Sequence, residues 1–121
     1  MSNRISIVTP TRNRSALLRA ALRSAYAQTW RDKEVIVVDE ASTDDTPVLL
    51  ANEFPQAKVI RHDVPRGPSA ARNAGIAAAV GDWVVFCDDD DLMHPAHLEQ
   101  LLQAALVAPA HCLVSGRARD F

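Results

Sequence analysis

Four consecutive aspartates, Asp88 to Asp91, form a dense group of ionisable side chains in this 121-residue sequence. Adjacent carboxylates repel one another and raise one another's pKa, so the run costs stability unless a cation lies among them. Oxygen ligands suit Mg²⁺ or Mn²⁺, and Mg²⁺ is usually held by one or two protein carboxylates together with substrate phosphates. The run therefore predicts a divalent-metal site, with a solvated turn that caps the next helix as the alternative.

The residues just before the aspartates place them at the end of a strand. Residues Trp83 to Cys87 are all apolar, rich in β-branched and aromatic side chains, and too few for an ordinary helix. In open α/β sheets, ligands bind at the carboxyl ends of the strands. This position favours the metal site over the simple cap.

Two other polar segments follow predicted strands in the same way. The loop Thr9 to Arg14 comes after the apolar run Ile5 to Val8, and Asp39 comes after Glu34 to Val38. Because the carboxyl ends of parallel strands meet at one edge of a sheet, we expect both segments to converge with the aspartate run on one crevice.

The rest of the sequence alternates predicted strands with predicted helices, and the strands are continuous apolar runs. Such strands are typical of parallel sheets that are covered on both faces. The sequence therefore predicts an α/β fold with an open, mainly parallel sheet and helices on both faces, similar to a Rossmann fold. The third helix consists of small residues that let it lie close to the sheet. The predicted strands are 5–8, 34–38, 57–60, 83–87 and 112–115, and the helices are capped or opened by Ser15, Thr46, Pro68 and His94.

The composition is that of an ordinary globular domain and excludes several classes of protein. The length suits one core, and a net charge of −2 without any basic run argues against a nucleic-acid partner. There is no apolar segment of about 20 residues to span a membrane, and the first residues lead into a strand instead of a signal peptide. We expect a cytoplasmic protein, with peripheral membrane association as an alternative, and reduced, buried thiols at Cys87 and Cys112.

Two enzyme classes that use similar folds are disfavoured by the loop after the first strand. A dinucleotide-dependent dehydrogenase would carry a G-x-G-x-x-G motif there, and this loop contains no glycine. A phosphotransferase or phosphatase with clustered aspartates would be expected to place its nucleophilic acid there, where Thr9, Pro10 and Thr11 stand instead.

Four segments in this order resemble the nucleotide-sugar-binding part of glycosyltransferase family 2, the GT-A type. They are 5–14, 35–46, 67–75 and 88–91, and they are distributed in this order along most of the chain. The resemblance implies a truncated GT-A fold in which residues 1–121 bind a nucleoside diphosphate sugar. It also implies transfer of the sugar, with a UDP sugar expected, to an unknown acceptor with inversion.

The resemblance assigns residues to the nucleotide. Thr9 and Pro10 match the loop that cradles the nucleoside, and Arg12 follows them in that loop. Asp39 matches the acid that hydrogen-bonds the base. Arg72, in an Ala-Arg-Asn segment, is expected beside the nucleotide base or the aspartates. The alternative is that Arg72 forms an ion pair with Asp88 or Asp90 that only stabilises the structure.

The resemblance also assigns the aspartates. Asp88 and Asp90 match the two acids of the family's Asp-x-Asp motif, which hold the ribose and a divalent metal, Mn²⁺ or Mg²⁺, on the diphosphate. Asp89 stands between them and is grouped with the substrate-binding residues. We therefore expect Asp88 and Asp90 to be the metal ligands.

The chain departs from the family pattern in two places. Ala41 stands where the family often has glycine, which alters the turn. Family members also carry a further stretch with the acceptor pocket and the general base, and Asp120 comes too early to supply that base. The alternative function is therefore a non-catalytic nucleotide- and metal-binding module. An exposed sheet edge would favour a dimer or a larger assembly.

Overall fold

The computed structural model describes residues 3–107, in which four parallel strands alternate with four helices. The predicted strand 112–115, Cys112 and Asp120 lie outside the described residues. None of the helices within 3–107 is long and apolar enough to cross a membrane. The strands are β1 (Ile5–Thr11), β2 (Lys33–Glu40), β3 (Lys58–His62) and β4 (Trp83–Phe86), and the helices are α1 (Ser15–Tyr26), α2 (Thr46–Glu53), α3 (Pro68–Ala78) and α4 (His97–Val107).

The strand order in the sheet is β3-β2-β1-β4, and every neighbouring pair is parallel. The chain runs outward from β1 through β2 to β3 and then crosses back to place β4 on the other side of β1. The order therefore reverses beside β1, and a ligand crevice is expected at the carboxyl end of this strand. The predicted open, parallel α/β sheet is confirmed.

The two faces of the sheet are covered by different helices. On one face, side chains such as Ile7 and Val37 join a core with residues of α1, α2 and α4, including Leu22, Leu50 and Leu98. On the opposite face, α3 packs on β1 and β2, and the buried residues of that core are Val8, Ile36, Val38 and Ala71.

Helix α3 lies unusually close to the sheet because its inner residues are small. Ala71 is fully buried, and a Cβ added at Gly75 would lie 2.2 Å from Cγ1 of Val8. The helix therefore has no room for a larger side chain at this point, as the run of small residues predicted.

Several elements begin or end away from the predicted residues. Strand β2 continues through Asp39 to Glu40 because both residues pair with β3, which itself extends to His62. Helix α4 begins at His97 instead of His94, since the segment before it turns, and the His94 ring accepts a hydrogen bond from the Ala96 amide at 3.1 Å.

Two predicted caps also differ from the structure. Arg14, not Ser15, precedes the first residue of α1, and Thr46 is the first residue of α2. The Thr46 amide is satisfied by Oδ1 of Asp44 at 3.0 Å, so the polar loop still provides an acceptor for this helix end.

Candidate functional site

Two loops at the carboxyl edge of the sheet are tied together by Asn13. This residue has a φ of 53°, which asparagine tolerates, and its side-chain oxygen accepts hydrogen bonds from the amides of Thr43 and Asp44. The backbone amide of Asn13 in turn donates a hydrogen bond to Oγ of Ser42 at 3.0 Å. The loop after β1 is thereby held against the loop after β2, which fixes one wall of the crevice.

A cavity of about 540 Å³ opens where the strand order reverses. It combines carboxylates, guanidinium groups and proline rings from the ends of β1, β2 and β4 and from the start of α3. Its lining residues are Pro10, Thr11, Arg12, Arg14, Glu40, Pro65, Gly67, Pro68, Ala71, Arg72, Asp88, Asp89 and Asp90.

Three of the four aspartates form a cluster that could hold a metal ion. One carboxylate oxygen from each of Asp88, Asp90 and Asp91 lies within 4.8 Å of the others. Asp88 and Asp90 also line the cavity, whereas Asp91 is buried behind them. A set of hard oxygen donors at the mouth of a polar cavity fits Mg²⁺ or Mn²⁺.

Asp89 has a different environment from its neighbours. Its carboxylate accepts a hydrogen bond from Oγ1 of Thr11 at 2.9 Å and one from Arg14 at 3.4 Å. Burial raises the pKa of Asp89, and these two contacts only partly oppose that effect. Asp89 therefore joins β4 to the loop after β1 while the other three acids remain together.

Cys87, immediately before the aspartates, is a free and buried thiol. Burial, together with the four neighbouring carboxylates, raises its pKa to about 12. A thiol with this pKa stays protonated at neutral pH and is a poor nucleophile. The predicted burial of Cys87 is confirmed, and its reduced state stays a prediction.

Three arginines face the same cavity. Arg14 lies 3.4 Å from Asp89 and 3.7 Å from Asp90, and Arg72 lies 3.9 Å from Asp88. The Arg72 guanidinium also stacks over the Phe86 ring at 5.8 Å. These weak, half-exposed pairs leave guanidinium hydrogens available to a ligand with negative charge.

The structure does not bring Asp39 to this cavity. Its side chain points to the opposite face, where Oδ1 accepts the Ser42 amide at 3.0 Å and Oδ2 accepts Arg61 at 2.8 Å. It lines a separate groove beside α2, and the residue is 1% exposed. The reason is that β2 continues past Asp39, so successive side chains still alternate between faces.

Thr9 is also outside the cavity. It is 1% exposed, and its hydroxyl oxygen has no hydrogen-bond partner among the residues that the structure describes. Of the predicted substrate and metal residues, the ones that do line the cavity are Pro10, Arg12, Arg72, Asp88, Asp89 and Asp90.

Glu40 is the acid that β2 contributes to the cavity, and the sequence reasoning missed it. Its Oε2 lies 2.6 Å from Nδ1 of His62, and its Oε1 accepts the Arg66 amide at 3.2 Å. Extending the strand by two residues and counting faces from buried Val38 would have found it, because Val38 and Glu40 share a face. Thr11 and Arg14 were missed as well, although both lie in the predicted loop.

Comparison with known proteins bears directly on this site. The family model for glycosyl transferase family 2 matches residues 6–121. The chain belongs to glycosyl transferase family 2. Similar proteins include the succinoglycan biosynthesis protein ExoO of Rhizobium meliloti, which is 39% identical over 91% of this chain and 32% of its own length. A GalNAc(5)-diNAcBac-PP-undecaprenol beta-1,3-glucosyltransferase of Campylobacter jejuni is 34% identical over 92% of this chain and 38% of its own length.

Two solved structures share the fold of this chain. S. aureus TarS 1-349 in complex with UDP superposes with a TM-score of 0.78 at 28% identity, over 84% of this chain and 32% of that chain. The mannosyltransferase PcManGT from Pyrobaculum calidifontis, in complex with GDP-Man and Mn2+, superposes with a TM-score of 0.76 at 31% identity. The match covers 87% of this chain and 32% of that chain. The chain thus spans about a third of the length of these proteins, and the GT-A type fold is confirmed.

Proposed function

We propose that residues 1–121 form the donor-binding part of a metal-dependent glycosyltransferase that uses a nucleoside diphosphate sugar. The observation that carries the proposal is one cavity that joins a cluster of carboxylates to three guanidinium groups at the strand-order reversal. A diphosphate bridged to a divalent cation has the charge pattern that such a cavity complements.

In this proposal the carboxylates and the arginines share the diphosphate. Asp88 and Asp90, with Asp91 behind them, would hold Mg²⁺ or Mn²⁺, and the ion, when bound, stabilises the charge of the leaving diphosphate. Arg12 and Arg72 line the same cavity and would donate hydrogen bonds to phosphate oxygens, since planar guanidinium groups favour bidentate contacts. The complex of PcManGT with GDP-Man and Mn2+ supports the presence of an ion.

We assign the contact with the nucleotide base to Glu40 instead of Asp39. Asp39 has both oxygens engaged away from the cavity, whereas Glu40 lines it. A carboxylate accepts the imide hydrogen of a uracil, and proline rings such as Pro10 offer apolar surface to the face of a base. We keep a uridine nucleotide as the preferred donor, and the crystal complexes of TarS with UDP and UDP-GlcNAc support that choice.

Sugar transfer needs a base and an acceptor in addition to the donor. In an inverting reaction a carboxylate takes the proton from the acceptor hydroxyl as the diphosphate leaves. We propose that the acceptor pocket and this base belong to parts of the protein other than the described donor site. The cytoplasmic location, the peripheral membrane association and the dimer all stay predictions.

Calorimetric titration of UDP into the purified chain, first with Mn²⁺ and then with EDTA, tests the proposal. We expect binding that requires Mn²⁺ and weakens at least about tenfold in Asp90→Asn, because contacts to charged groups contribute roughly 1.5–3 kcal/mol. Asp82→Asn is the matched control, since Asp82 lies before β4 at the opposite end, where its carboxylate accepts the backbone amide of Arg4 at 3.0 Å. Equal affinity for UDP with EDTA and with Mn²⁺ would reject the metal-dependent site.

A further inference from the structure

The residues His62 and Glu40 form a buried pair beside the cavity. They are the last residues of β3 and β2, and they are partners in the register of the two parallel strands. Their side chains are 7% and 9% exposed, and Nδ1 of the ring lies 2.6 Å from Oε2. Since an ionised carboxylate only accepts hydrogen bonds, the proton of this bond lies on Nδ1.

The same carboxylate also anchors the loop between β3 and α3. Oε1 of Glu40 accepts the backbone amide of Arg66 at 3.2 Å. The neighbouring residues Pro65 and Gly67 line the cavity, and Gly67 has a φ of 94° that glycine adopts without strain. One side chain therefore faces the ligand cavity and holds the loop that forms its outer wall.

We propose that His62 is a positioning residue for nucleoside recognition, acting through Glu40. This inference rests on the proposed function, in which Glu40 accepts a hydrogen bond from the base. A glutamate has three rotatable side-chain bonds, and the bond from His62 restricts them to the conformation in which Oε1 reaches the Arg66 amide. Loss of His62 releases both the carboxylate and the loop.

Two other groups of charges at this sheet edge have partners of their own. Arg61, next to His62, points to the opposite face and is bound to Asp39. The aspartate cluster is bordered by Arg14 and Arg72, which contact Asp88, Asp89 and Asp90. The effect of His62 is therefore predicted at the nucleoside end of the ligand and not at the diphosphate.

Two probes separate these ends of the ligand: UDP and inorganic pyrophosphate, each titrated with Mn²⁺ present. In His62→Leu we expect UDP affinity to fall about tenfold, the size of one lost contact to a charged group, and pyrophosphate affinity to stay within about twofold. His62→Asn, whose amide nitrogen can replace Nδ1 as donor, should recover most of the UDP affinity.

Lys58→Met is the matched control for a general loss of sheet stability. Lys58 begins β3 at the far end and pairs with the carboxylate of Glu34 at 3.1 Å. It should lower the melting temperature without altering the ratio of UDP to pyrophosphate affinity. Parallel losses for both ligands in His62→Leu, or no loss for UDP, would overturn the proposal.

Hydrogen exchange provides a readout that needs no ligand. The Arg66 amide should exchange faster in His62→Leu and in Glu40→Gln than in the wild type, and the double variant should add nothing further. Unchanged exchange in both single variants would overturn the coupling between His62 and the loop. If the wild type fails to bind UDP, the proposed function and the contact of Glu40 with the base are both rejected. The exchange rate of the Arg66 amide still decides whether His62 holds Glu40 in place.

Discussion

Asp39 and Glu40 are neighbours at the end of β2, and each meets a basic residue of β3 that is its partner in register. Asp39 pairs with Arg61 on the face of α2, whereas Glu40 pairs with His62 on the face of α3. Both acids are buried, yet only Glu40 lines the cavity. Two adjacent carboxylates thus have different surroundings because a strand turns successive side chains to opposite faces.

The difference assigns different roles to two acids that look equivalent in sequence. Asp39 is engaged on both oxygens by the Ser42 amide and by Arg61, which also donates to the Ser42 carbonyl. It therefore stabilises the turn after β2. Glu40 is bonded to the loop that borders the ligand cavity, which suits it to recognition.

Asp89 and Asp90, after β4, also have different surroundings. Asp89 is buried and bound by Thr11 and Arg14, while Asp90 is half-exposed and lies in the carboxylate cluster. Both aspartates line the cavity, so the difference here lies in burial and hydrogen bonding, and of the two only Asp90 belongs to the carboxylate cluster.

The largest effect is expected from Asp39→Ala. The change leaves the Ser42 amide without its acceptor and removes the carboxylate that pairs with Arg61, so the free energy of unfolding should fall by about 2–3 kcal/mol. Urea denaturation measures the loss. UDP affinity per folded molecule should stay within about twofold of the wild type, and a selective loss of UDP binding in a stable Asp39 variant would reverse the assignment of the two acids.

Glu40→Gln should have its main effect on binding instead. We expect UDP affinity to fall about tenfold, with pyrophosphate affinity unchanged, because the loss of negative charge weakens the acceptor for the base hydrogen. Calorimetry with Mn²⁺ present measures both ligands. The matched variant is Asp39→Asn, which makes the same chemical change one residue away. Equal UDP losses in the two variants would contradict a specific role for Glu40.

Asp89→Asn tests the buried acid of the second pair through its pH dependence. Burial raises the pKa of Asp89, so the folded chain holds this proton more tightly than the unfolded chain does. Asp89 thus contributes stability at acid pH that is lost as the pH rises through its folded-state pKa. The neutral variant should be more stable at pH 7, by about 1 kcal/mol or less, and equal to the wild type at low pH. A variant that is less stable at neutral pH would show that the Arg14 contact outweighs burial.

The smallest effect is expected at Ala41, which follows both acids of β2. It has a φ of 58°, a conformation that costs a non-glycine residue roughly 1–2 kcal/mol. Glycine removes this strain but loses more entropy on folding, so Ala41→Gly should stabilise the chain by only about 0.5 kcal/mol. Thermal unfolding measures the gain, with Ala27→Gly, at the exposed end of α1, as a control that should not stabilise. A lower melting temperature in Ala41→Gly would mean that the turn is not strained.

Much of the fold and part of the site could be predicted from residue order. Apolar runs located the four described strands, and the small residues of α3 indicated its close packing against β1. The cavity brings together Pro10, Arg12 and Arg72 with the aspartates after β4, as expected. Thr9 and Asp39 were misplaced because the strands were predicted to end at Val8 and Val38, so that both residues were taken for loop residues.

The sequence by itself determined the order of strands and helices, and its four motifs led to glycosyl transferase family 2, which the family model confirms. Only the tertiary structure decided that Glu40, and not Asp39, lines the ligand cavity, and that Asp89 is the buried aspartate bound by Thr11 and Arg14. Apolar runs define a strand without marking its faces when both faces are buried. The face that each polar residue adopts at such a strand's end depends on how far the pairing with the next strand continues, and here that pairing carries β2 on to Glu40 and His62.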